Sequence, residues 1–162
     1  MTKVQRKKLE NNIKSELLAQ IHKYKLLTKL SSLAIDGHQH IHLVPIVLDV
    51  ILDISKKENI SWVRTTYEPI PKKTSIISLF RSFGDGGFVK WLILQTLSAM
   101  ALQRIKKTNI KTNAGFSGIL FTGKMSKNNI STGLIELKML KVSAWQTQPM
   151  ILVHPAASLR SE

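Results

Sequence analysis

A chain of 162 residues holds one domain with a sizeable core and leaves little for a second. Apolar residues make up 43% and charged residues 21%, which excludes a chain too polar to bury a core. Cysteine is absent, which excludes disulfides and thiolate metal sites and is compatible with the cytoplasm, the expected location.

The net charge of +14 raises nucleic acid, an anionic glycan or an anionic membrane surface as partners. Basic residues are dispersed apart from "KVQRKK" at 3–8, and there is no aromatic-interleaved binding motif. The reading is therefore a lysine-rich background and no nucleic-acid partner. The amino terminus is Lys-rich and then amphipathic, without the apolar core and cleavage site of a secretory signal.

In chain order, "LENNIKSELLAQIHKYKLL" at 9–27 spaces Leu9, Ile13, Leu17, Ile21 and Tyr24 along one helical face. "SLAID" at 32–36 reads as a short buried strand. The segment 44–59 reads as a helix, with Pro45 in its first turn and Lys56 and Lys57 near its end. "ISWVRTT" at 60–66 is β-branched and aromatic, hence a strand, and the two prolines of "YEPIPKKTS" at 67–75 make a loop. "FGDGG" at 83–87 precedes a helix at about 88–107. That helix contains Lys90, Gln95 and Gln103, and its uninterrupted apolar part falls short of the ~20 residues that span a bilayer. It reads as a buried or partner-facing helix, and no membrane span is expected. A strand is predicted at 115–124, a helix at 131–141 and a last strand at 149–155.

This alternation argues for an α/β fold of βα units with mainly parallel strands. His38 then follows the first strand, Arg64 and Glu68 end the second, Gly123 follows the third and His154 ends the fourth. Chemistry in parallel α/β folds gathers at the carboxyl ends of strands.

The densest chemical signal is "AIDGHQHIHLVP" at 34–45, which holds three of the five histidines in the chain. In an extended segment His38, His40 and His42 would share one face. Neutral imidazoles ligate divalent metals, and Asp36 could ligate or orient them. Three ligands so close in sequence rarely complete a sphere, so one or two would bind while the others orient or contact substrate. The competing reading is a run of structural histidines bonded to loop backbone. His154 reads either as a histidine closing a strand or as a general acid or base. Arg64 and Glu68 read either as an ion pair or as an arginine that orients a carboxylate or binds substrate through its planar fork.

Together these residues resemble the YdjC-like carbohydrate deacetylases, the group that includes chitooligosaccharide deacetylase and the hopanoid-associated relatives. The resemblance is carried by "SELLAQIHKYK" at 15–25, "IDGHQHIHLVPIV" at 35–47, "WVRTTYEP" at 62–69, "GFSGILFTGKM" at 115–125 and "MILVHPA" at 150–156, in the family's order. It implies a distorted, TIM-like (β/α) barrel that removes N-acetyl groups from chitin-like oligosaccharides or related acetylated glycans. A divalent metal would polarise the amide carbonyl and a carboxylate base would activate water. The resemblance makes His38 the metal ligand, His154 the acid that protonates the leaving amine and Arg64 a residue beside the site. Asp36, His40, His42 and Glu68 would bind substrate or orient the ligand. It points to magnesium, whereas imidazole ligands alone suit zinc. The partner it implies is an acetylated oligosaccharide, and a homodimer is compatible with it.

One departure stands out. Relatives begin with a strand carrying two consecutive aspartates, and a later Gly-x-His segment supplies a second histidine ligand. Here Asp36, Asp49, Asp53 and Asp85 are all isolated, and His22 lies in a helical pattern. No catalytic base is found in this chain. The expectation is a single deacetylase domain over 1–162, a partial barrel truncated at the front, where about a third of a ~250-residue barrel is lacking, and at "SLRSE". With His38 the only clear ligand, metal affinity should be low, and the chain could be inactive alone. The runner-up is a non-catalytic remnant or glycan-binding module of the same family.

Overall fold

The computed structural model describes residues 1–69, 87–119 and 126–152. Helix α1 spans Lys3–Thr28 and begins earlier than the apolar stripe alone predicts. Thr2 is the reason: its hydroxyl accepts from Gln5 N while the Gln5 side chain accepts from Thr2 N, a reciprocal cap that draws the lysine-rich segment into the helix. Of the predicted stripe, Ile21 is buried and Ile13 and Leu17 are half-buried, but Leu9 and Tyr24 are exposed. Helix α1 ends where Lys29 turns left-handed and its N–H bonds back to the Lys25 carbonyl.

Strand β1, Leu33–Ile35, pairs in parallel with β2, Ile60–Val63, through the intervening helix α2, Pro45–Glu58. Helix α2 opens on Pro45, as read from the sequence, and closes at left-handed Asn59. Leu48, Ile51 and Ile54 of α2 meet Ile21 of α1 and Val63 of β2 in the main core. Ala101 and Ile105 of the third helix, α3 at Gly87–Ile105, close that core from the other side. Ion pairs fringe the α1–α2 seam, with Lys14 to Asp53 at 2.7 Å and Lys25 to buried Glu58 at 2.8 Å. Asp49 of α2 also pairs with Arg104 of α3.

After α3 the predicted single strands become pairs of shorter ones. Strands β3, Thr112–Asn113, and β4, Phe116–Ser117, are followed by helix α4, Lys127–Lys138, capped by Ser126. Strands β5, Gln146–Thr147, and β6, Met150–Ile151, then return parallel to β3 and β4 respectively. Lys111 bridges β2 to this second half, its N–H bonding Ser61 O and its carbonyl accepting from Val63 N. The α/β character and the parallel pairing thus hold. The barrel expectation is not met among the described residues, whose strands form three two-stranded sheets and no closed ring. Much of the predicted strand at 115–124 lies outside the described residues, as do Gly123 and His154. No helix among the described residues is long and apolar enough to cross a membrane.

Candidate active site

The parallel pairing of β1 with β2 continues one step beyond both strands, because Arg64 N donates to Ile35 O at 3.1 Å. This sets Asp36 and Arg64 side by side at the carboxyl ends of the strands. Arg64 Nη2 forms an ion pair with Asp36 Oδ1 at 2.6 Å and donates a hydrogen bond to His40 Nδ1 at 3.0 Å. The guanidinium carbon lies 5.4 Å from the centroid of the Phe116 ring, a cation–π contact that lets the charge sit at only 7% exposure. Asp36 keeps 47% of its side-chain surface exposed.

The histidines do not share one face of an extended strand. Residues His38–Leu43 form two short 3-10 turns joined at a kink where Gln39 and His40 are left-handed, with φ of 48° and 63°. This turn sends the three rings to different tasks. His38 is exposed at the rim. His40 is buried, bonded to Arg64 and set edge-on to Phe116 at 6.0 Å. His42 is buried with both ring nitrogens engaged: Nδ1 accepts from Gly37 N, and Nε2 therefore carries the proton it donates to Arg64 O, each at 2.9 Å. Burial, helped by the charges of Arg64, His42 and Lys90, pushes His40 down to about 4. Burial likewise lowers His42, so both rings are neutral at neutral pH. The same desolvation lowers Arg64, and Asp36 opposes it.

A cleft of about 530 Å³ opens here, lined by Asp36, Gly37, His38, Gln39, His40, Arg64, Lys90 and Leu152. The segment Asp36–Gly37–His38 is also a wall of a second, more apolar groove of about 510 Å³ beside α1. The three residues form a partition between two hollows.

Glu68 is buried elsewhere in the site region. Its carboxylate accepts from Gly118 N at 2.6 Å and Ile119 N at 3.0 Å, and its carbonyl accepts from Trp91 and Gln95 of α3. Arg64 forms its ion pair with Asp36, where the sequence reading paired it with Glu68. His22 sits on the outer face of α1, 4.0 Å from Glu58. Sequence reasoning missed Lys90, Phe116 and Leu152 as neighbours of the cluster. Lys90 had a signal, being a lysine inside an otherwise apolar helical run.

The described residues do not fit a protein-held metal ion. Among them no three His, Asp or Glu side chains are gathered to hold one. Both nitrogens of His42 are committed and His40 Nδ1 faces a cation, which leaves exposed His38 and Arg64-bound Asp36. Two such donors fall short of the three or four protein ligands of a tight site.

The YdjC-like protein family matches the chain over residues 1–161, and the chain belongs to that family. Membership suggests a hydrolase of the carbohydrate-deacetylase type. No curated protein and no solved structure matches the chain.

Proposed function

We propose that the protein is an N-deacetylase of acetylated carbohydrates, with chitin-like oligosaccharides as its substrate class. The observation that carries this reading is the Asp36–Arg64–His40 cluster, formed at the carboxyl ends of two parallel strands and bordering an open cleft. In the reaction a water oxygen adds to the acetyl carbonyl carbon, the C–N bond breaks, the sugar amine takes a proton and acetate leaves. Arg64 holds Asp36 in one orientation against the acetamido group. His40, neutral and fixed by Arg64, fills the floor, while His38 meets the sugar at the rim. His154 is the proposed acid for the leaving amine. A divalent metal, magnesium or zinc, would supply carbonyl polarisation in such chemistry, but the donor set gives no ground for routing a step through one.

A second reading, a glycan-binding module without hydrolysis, is favoured by one specific feature. The cleft's carboxylate is tied into an ion pair instead of standing free as a base. Release of acetate from diacetylchitobiose, with and without added divalent metal, decides between the two. The enzyme reading expects metered acetate from the wild type and a loss of about 100-fold or more in Arg64→Lys. Circular dichroism should show that variant folded. Sugar binding without acetate release would overturn hydrolysis and leave the binding module.

A further inference from the structure

We propose that the cleft seats a carboxylate of its ligand between Arg64 and Lys90, so that the preferred saccharide is an acidic one. This inference rests on the carbohydrate reading above and names the substrate class of the same site. Two basic side chains, Arg64 and Lys90, border the cleft, against one carboxylate, Asp36. Asp36 is already neutralised by its bond to Arg64 Nη2. The cleft therefore carries an excess positive charge that no described group offsets.

The guanidinium also has bonding capacity to spare. Of its five N–H donors, one on Nη2 is bonded, to His40, and the same nitrogen faces Asp36 in an ion pair. Arg64 Nε is buried and has no hydrogen-bond partner among the described residues. A buried donor without an acceptor is destabilising, and an incoming acceptor recovers that loss. A carboxylate against the remaining N–H groups gains strength from charge on both partners.

Lys90 adds the second contact. It stands in the first turn of α3, where the helix dipole contributes positive potential at the same end. Its charge reaches the cleft floor, since it is among the groups that disfavour protonation of His40. A neutral sugar would leave both features unused. A sugar bearing a carboxylate ether or a uronic acid would use them together.

Isothermal titration of the full chain at low salt, with N-acetylmuramic acid, N-acetylglucosamine and lactate as probes, tests this. The expected result is roughly tenfold tighter binding of N-acetylmuramic acid than of N-acetylglucosamine, a preference that salt weakens. In Lys90→Gln the ratio should fall to within about twofold. Equal affinities for the two sugars, or an unchanged ratio in Lys90→Gln, would overturn the carboxylate seat while leaving the carbohydrate reading in place. Binding of lactate without either sugar would support the seat and overturn the carbohydrate reading. No binding of any probe would overturn both.

Discussion

His42 Nε2 stands 2.9 Å from the carbonyl oxygen of Arg64, while its Nδ1 receives the main-chain N–H of Gly37 at the same distance. One ring thereby ties the segment after β1 to the residue after β2. His42→Ala removes both bonds and opens a cavity, so a stability loss of about 2–4 kcal/mol is expected. Urea unfolding monitored by tryptophan fluorescence measures it.

The two buried histidines set a pH window. His40, faced by Arg64, His42 and Lys90, is pushed down to about 4, and His42, faced by Arg64 and Asp36, is also lowered. The unfolded chain titrates these rings near the ordinary 6.5 and so binds more protons below that value. Their stabilisation is therefore full above about pH 6.5 and is lost as pH falls below it, for His40 toward about 4. Each ring contributes a slope no steeper than about 1.4 kcal/mol per pH unit. Denaturation midpoints across this window should fall with acid, and His40→Gln should lose its share of the slope.

Glu68 holds two backbone amides at once, and both oxygens are spent. Glu68→Gln replaces one acceptor by a donor facing Ile119 or Gly118 N–H, at an expected cost of about 1–3 kcal/mol. Thermal unfolding at constant pH reads this directly.

Gly118 takes φ +125°, and a Cβ there would collide with the Leu152 carbonyl oxygen. Gly118→Ala should destabilise by about 2 kcal/mol or more, because strain and overpacking act together. Gly115→Ala meets the end of the Leu140 side chain instead, which can swing aside, and is expected to cost less. Comparing the two midpoints separates backbone strain from simple crowding.

Metal affinity should be weak. With His38 and Asp36 as the available donors, equilibrium dialysis against magnesium or zinc should give a dissociation constant of about 1 mM or above. His38→Ala should change stability by no more than about 0.5 kcal/mol, because its side chain is exposed.

The first half of the fold was legible because its signals are local. Pro45 marks the start of α2, Lys56 and Lys57 mark its end, and the apolar runs at 32–36 and 60–66 name the two strands. The two-residue strands β3 and β5 were not legible, since Thr112 and Asn113 become strand only by pairing with Gln146 and Thr147. The histidine motif takes a shape that its spacing does not predict. Residue types with alternating spacing suggest an extended segment, but Gln39 and His40 adopt left-handed backbone that their own side chains do not favour. The bond from Arg64 and the ring of Phe116, both distant in sequence, hold that turn.

Every bond of the Asp36–His40–Arg64–His42 cluster closes between residues 36 and 64. A chain loop of that length forms quickly and at modest entropic cost. The polar contacts of the cluster thus join β1, β2 and the turn between them without a residue from beyond Arg64, and the second half adds the ring of Phe116 over them.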